Sequence, residues 1–167
     1  MHLQKHFYLL AIIAGLFSCN DASKIYEDIH VFEEGVWHKD SVQDFTFKVE
    51  DTTHAYNFIY LFRNTLDYPY YNLYVKYELK DSTGNVLAED MQEVYLFNHK
   101  SGKPGGEERY FTGKSLGGIY DHAYPALMKV HFRQEGTYTL SLSQYMRKPN
   151  PLPEILSVGL RVNKYEE

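Results

Sequence analysis

Leu73-Tyr74-Val75-Lys76-Tyr77-Glu78-Leu79-Lys80 alternates apolar and polar residues, and Asp81-Ser82-Thr83-Gly84-Asn85 follows directly. A period of two places Leu73, Val75, Tyr77 and Leu79 on one face and Tyr74, Lys76, Glu78 and Lys80 on the other. That is the pattern of a half-buried strand. Gly84 suits a turn that needs positive φ, and residues 86–97 again read as a strand. A β-hairpin is the expected product.

The same reading extends in both directions. Phe45, Phe47 and Val49 alternate with Thr46, Lys48 and Glu50. Residues 55–63 are apolar on both faces, as a central strand would be. Ala126, Met128, Val130 and Phe132 are expected to share a face. So are Tyr138, Leu140, Leu142 and Gln144, then Leu156, Val158, Leu160 and Val162. Between these runs, 99–106 and 113–125 read as glycine-bearing loops, 107–112 as a short strand, and Arg147–Pro153, with three prolines, as a crossing loop. About eight strands and no long helix point to an all-β fold. The expected form is an antiparallel two-sheet β-sandwich, jelly-roll or immunoglobulin-like.

Composition agrees. Of 167 residues, 44% are hydrophobic and 16% aromatic, including 16 Tyr and 10 Phe. This is enough for one domain with a core, and strands favour aromatic residues. The net charge of −5 argues against nucleic acid as a partner, because that partner demands a concentrated positive surface.

The amino terminus carries a different kind of signal. Lys5 precedes the apolar run Phe7–Phe17, which is too short for a membrane span but fits the core of a secretory signal. Leu16-Phe17-Ser18-Cys19 then resembles a bacterial lipobox. Its cysteine thiol would take a diacylglycerol as a thioether, and the small Ser18 would admit a peptidase to the bond before Cys19. Cys19 is the only cysteine, so no disulfide forms within the chain. The expected organisation is a signal peptide at 1–18, a lipidated amino terminus and tether at 19–35, and the sandwich at 36–167. No later segment is apolar and long enough to cross a membrane as a helix.

Several motifs suggest chemistry and fall short of it. Gly113-Lys114-Ser115-Leu116-Gly117 matches the G-x-S-x-G nucleophile elbow, with Asp121 and His122 just downstream. That elbow needs a parallel strand running into a helix, and Gly117-Gly118 and Pro125 break any helix here. The ending Gly113-Lys114-Ser115 lacks the upstream glycine of a phosphate loop, since Glu108 stands there. Eight histidines are scattered without the spacing of metal ligands. Residues 81–85 lack the closing glutamate of a calcium loop. No catalytic, metal-binding or cofactor-binding residue is therefore assigned, and no cofactor is expected.

Tyr68-Pro69-Tyr70-Tyr71, with Tyr120, Tyr124 and Trp37, supplies aromatic residues for a contact surface. Arg63-Asn64 is expected to brace the turn that Pro69 makes.

Three features together resemble the GldH family of gliding-motility lipoproteins of the Bacteroidota. They are the lipobox ending in Cys19; Arg63-Asn64 followed by Tyr68-Pro69-Tyr70-Tyr71-Asn72-Leu73; and Tyr145-Met146-Arg147 followed by Leu152–Arg161. The resemblance implies a non-catalytic lipoprotein acting with the gliding and type IX secretion apparatus. It implies anchorage in the cell envelope, protein partners of that machinery, and lipidation at Cys19. Secreted proteins of that phylum are often O-glycosylated after aspartate, which makes Ser41, Thr52 and Ser82 candidate acceptors. The partner surface is expected at Tyr68, Tyr70, Tyr71, Tyr120 and Tyr124. The alternative is a surface glycan-binding lipoprotein, which requires those aromatics exposed together.

Overall fold

A computed structural model describes residues 23–104 and 117–166. Among them the chain forms β1 (Lys24–Val31), β2 (Val36–Trp37), β3 (Gln43–Val49), β4 (Ala55–Thr65), β5 (Asn72–Lys80), β6 (Val86–Tyr95), β7 (Ile119–His131), β8 (Gly136–Gln144), β9 (Leu152–Pro153) and β10 (Ile155–Lys164), with no helix. One sheet runs β1-β10-β4-β7 and the other β3-β8-β5-β6, while β2 and β9 make a small ribbon. All strand pairs are antiparallel.

The pairing is nested. β5 pairs with β6, β4 with β7, β3 with β8 and β1 with β10. A long antiparallel ribbon folded at 81–85 and rolled up gives this order, which is the jelly roll. Of the two sandwich forms read from the sequence, this is the one formed.

The inner faces are those the alternation indicated. Phe45, Phe47, Val49, Leu73, Val75, Leu79, Leu140, Leu142, Val158, Leu160 and Val162 are buried. Each fully buried side chain of this size contributes about 1.5–3 kcal/mol over exposure. Rings close one end of the core. Phe132 lies 4.4 Å from Tyr138 and 5.7 Å from Tyr56, and Phe47 lies 5.4 Å from Phe58 between their centroids. All are edge-on or tilted apart from the Phe47–Tyr138 stack, as ring quadrupoles favour.

Several local expectations are corrected. Lys24–Val31, read as tether, is an edge strand bonded along its length to β10. Its alternation is masked because most of its side chains are exposed or half-buried. The segment from Ile119, read as loop up to Pro125, already belongs to β7. Within β7, Lys129 has φ +57° and its N–H donates to Asn57 Oδ1 at 2.9 Å. This irregularity turns Met128 outwards while Phe132 stays buried. A register shift between Ile155 and Ser157 likewise puts Ile155, not Leu156, in the core. The short strand expected at 107–112, the Gly113–Leu116 motif residues, the signal segment and Cys19 lie outside the described residues.

The sandwich has two distinct poles. Lys24 pairs with Asn163, and the Lys164 N–H donates to the Ser23 carbonyl, so both ends of the described chain share a pole. The turns at 50–54, 81–85 and 132–135 lie there too: Lys164 Nζ bonds Asp51 at 3.2 Å, and Asp81 and Phe132 line one cleft. The opposite pole gathers 32–42, 66–71, the segment leaving β6 and 145–151. Phe97 N–H donates to the Tyr71 carbonyl, Tyr70 Oη to the Lys148 carbonyl and Lys39 N–H to Asn150 Oδ1. β4 has 11 residues and spans about 35 Å at the usual strand rise, so the poles stand roughly that far apart.

Candidate functional site

Among the described residues, a groove lies beside the far pole. It has a volume of about 540 Å³ and is lined by Lys39, Tyr70, Tyr74, Met91, Tyr145, Met146, Arg147 and Lys148. It forms where β8 runs out into the crossing loop. The Tyr145 N–H still bonds the Tyr74 carbonyl at 2.7 Å, which carries the β8–β5 ladder one step beyond the strand. Met146 then turns inwards, with its sulfur 3.3 Å from the Tyr74 nitrogen and its own N–H donating to Gln144 Oε1 at 2.9 Å. Gln144 is fully buried, and its amide also reaches the Trp37 carbonyl. Its buried polar atoms are thus used to fix where Tyr145 and Arg147 emerge.

The groove is cationic and aromatic. Lys39 Nζ sits 5.0 Å above the Tyr145 ring, a cation–π contact. Lys39, Arg147 and Lys148 take part in no ion pair among the described residues, whereas Lys48, Lys76, Lys80, Arg63, Arg161 and Lys164 are all paired. Two phenols are already engaged. Tyr70 Oη donates to Lys148 O at 2.7 Å. The Tyr74 hydroxyl meets Glu93, whose hydrogen bond and charge raise its pKa, with Arg147 opposing the rise. Glu93 also accepts from Asn72 Nδ2 at 2.6 Å.

The tyrosines singled out from sequence are dispersed. Tyr68 is buried, and its hydroxyl donates to Asn72 O at 2.8 Å. Tyr70 is half-buried in the groove. Tyr71 is exposed and stacks on Tyr95 at 6.0 Å with the rings 9° from parallel. Tyr120 is half-buried edge-on to Phe97, and Tyr124 reaches across to the Glu93 carbonyl at 3.3 Å, joining β7 to β6 between the sheets. Trp37 is wholly buried, its Nε1–H on the Ser41 carbonyl. The open aromatic platform that a glycan site requires is not formed by these residues. Tyr74 and Tyr145 carry the groove instead. Tyr74 alternates in a strand pattern that reads as ordinary sheet surface. Tyr145, part of the motif that carries the family resemblance, stands just past the strand read to Gln144, with no signal of its own for a groove.

Arg63 and Asn64 do not brace the 68–71 turn. Both reach β7, and they do so from opposite faces of β4. Arg63 binds Asp121 through two bonds of 2.6 and 3.0 Å on the outer face. Asn64 Oδ1 lies 2.8 Å from His122 Nε2 on the inner face. Asp121 and His122 are adjacent on a strand and so point to opposite sides of the sheet. They cannot form an Asp–His dyad for Ser115, which itself lies outside the described residues.

The three candidate glycosylation acceptors sit in different settings. Ser82 is exposed at the tip of the β5–β6 hairpin, while Ser41 and Thr52 are half-buried. The neighbouring aspartates close turns. Asp81 accepts from Thr83 and Asn85, and Asp51 from Thr53, which holds both carboxyls well below their usual range. Among the described residues no group of three or more His, Cys, Asp or Glu is placed to hold a metal ion.

Comparison with known proteins gives a consistent result. The family model described as GldH lipoprotein matches residues 24–162. The Gliding motility lipoprotein GldH homolog of Christiangramia forsetii is 30% identical over 155 residues, covering 89% of each chain. The Gliding motility lipoprotein GldH of Flavobacterium johnsoniae is 25% identical over 170 residues, covering 98% of this chain and 99% of that one. Among solved structures, an arabinose-bound α-L-arabinofuranosidase is similar with a TM-score of 0.31 and 9% identity. That likeness covers 86% of this chain and 23% of the enzyme, and it carries no functional weight.

Proposed function

The chain belongs to the GldH lipoprotein family, and from that membership we propose that it is a non-catalytic lipoprotein, an accessory or assembly component of the gliding-motility and type IX secretion apparatus. Two relatives bear the name gliding motility lipoprotein. The chain's own lipobox at Leu16–Cys19 supplies the means of attachment. Cys19 takes the lipid, the domain sits in the cell envelope, and its partners are other proteins of that machinery. Two or three acyl chains, each buried CH₂ contributing about 0.8 kcal/mol, make the anchorage effectively permanent.

The observation that carries the reading is the separation of the poles. Lys24 opens β1 at one pole, and five residues back along the chain is Cys19. Such a link reaches at most about 18 Å. The near pole is therefore kept against the bilayer, and the far pole, with Tyr70, Tyr71 and the groove, faces away from it. Tethering confines the domain to the membrane face, which raises its effective concentration near membrane-bound partners. Ser82, exposed at a hairpin tip, is the best placed of the three candidate glycosylation sites, ahead of Ser41 and Thr52. An intact mass above that of lipidated polypeptide is the expected sign of a glycan, and a mass equal to it discards that assignment.

Replacing Cys19→Ser tests the whole reading. The variant is expected to leave the membrane fraction, and cells carrying it to lose spreading and secretion. Wild-type chain found in the aqueous phase after detergent partitioning, with a titratable thiol, overturns it.

A further inference from the structure

We propose that the groove between Tyr145 and Tyr74 is a docking site for an extended acidic segment of a partner protein. The proposal takes from the preceding section only that the chain works by binding another protein. Charge complementarity commits it to that occupant. The chain as a whole is acidic, at −5, yet this groove is lined by three cations and no carboxylate. Those cations stand outside the ion pairs that occupy most other Lys and Arg of the described residues. A surface that gathers three cations with no ion pair among the described residues, Lys39 resting only on the Tyr145 ring, is stabilised by an incoming anion.

The rest of the lining selects between anions. Met91 is 52% and Tyr145 48% exposed, so thioether and ring faces are open to a ligand. They suit apolar side chains alternating with acidic ones, since methionine adapts its shape and tyrosine offers area at little entropic cost. The groove contains no Asp, Glu, Asn or Gln, so no planar group there accepts from paired sugar hydroxyls; Arg147 can only donate. The Tyr70 and Tyr74 hydroxyls are spent on Lys148 and Glu93. A saccharide would find few partners there. Glu93 stands behind Tyr74 and holds the ring, so it stiffens the wall without reversing the sign of the lining.

The test uses full-length chain in detergent and a fluorescein-labelled decapeptide of alternating glutamate and valine. Saturable binding is expected, weakening as salt shortens the Debye length below about 8 Å. The same peptide with glutamine for glutamate is expected to bind at least about tenfold more weakly. Arg147→Glu with Lys148→Glu changes two exposed side chains and spares the Lys148 carbonyl that Tyr70 uses. It is expected to abolish binding with the melting temperature unchanged. Lys100→Glu with Lys103→Glu makes the same charge change at the same pole outside the groove, and is expected to leave binding intact. Equal loss in both pairs, no binding at all, or displacement of the peptide by oligogalacturonate at equal concentration would each overturn the proposal. Membrane release of Cys19→Ser is scored separately, so the anchor and the groove can fail independently.

Discussion

His122 Nε2 lies 2.8 Å from Asn64 Oδ1, in the buried space between β7 and β4. The Asn64 amide nitrogen donates to the Thr65 carbonyl at 2.8 Å. Its oxygen is therefore the acceptor, and the imidazole must carry its proton on Nε2. Desolvation favours the neutral ring and lowers the His122 pKa from 6.5 to about 4, although Asp121 opposes the shift.

This pair makes the fold acid-sensitive. The folded state binds the His122 proton less readily than the unfolded chain does, so stability is full above pH 6.5. It falls as pH drops towards 4, by about 3 kcal/mol at most. Denaturant titrations across that range are expected to show the loss, and His122→Gln to flatten it. A wild-type profile that is level from pH 7 to pH 4 would contradict the assignment.

Gly159 faces the edge strand. A Cβ there would stand 2.6 Å from the Asp28 carbonyl oxygen and 2.9 Å from an Ile29 carbon. Gly159→Ala is expected to push β1 off β10 and cost about 1–3 kcal/mol. Faster amide exchange should follow in 24–31 specifically.

The Tyr60 hydroxyl is fully buried with no hydrogen-bond partner among the described residues, and burial holds its pKa well above 10. An unsatisfied buried polar group costs about 1–3 kcal/mol. Tyr60→Phe keeps the ring and removes the cost, so the variant is expected to melt several degrees higher than wild type.

The Arg63–Asp121 pair has good geometry but lies on the open face of its sheet, with both side chains about half exposed. Surface pairs of this kind contribute roughly 0.2–1 kcal/mol. Arg63→Ala is expected to change stability by less than about 1 kcal/mol, in contrast to Gly159→Ala. A drop of 3 kcal/mol would mean that the pair is shielded by something bound over that face.

The inner strands were legible because each buries one face, and burial imposes alternation: Phe45 to Val49, Leu73 to Leu79 and Tyr138 to Gln144 all read correctly. β1 was not, because an edge strand with exposed Glu27 and Asp28 has little to alternate. In β7 the stretch 119–125 reads as loop because glycines precede it and Pro125 closes it. In β7 and β10 the irregularities at Lys129 and Ile155 turn Met128 and Leu156 away from the core, which nothing in composition marks. The groove was illegible for another reason. Lys39, Tyr70 and Tyr74, Met91 and the 145–148 segment come from separate stretches of chain, and only the rolled topology assembles them. Tyr68 illustrates the converse, a residue in a promising motif that the core absorbed.

Pairing the first long strand with the last also has a mechanical consequence. If Cys19 carries the proposed lipid and the groove its proposed partner, a pull between them acts along the length of β1, parallel to its axis. The bonds from 24–31 to 157–163 then share the load in shear, and must break together instead of peeling one at a time. A fastening of that design resists tugging best in the direction in which a moving machine would haul on its mooring.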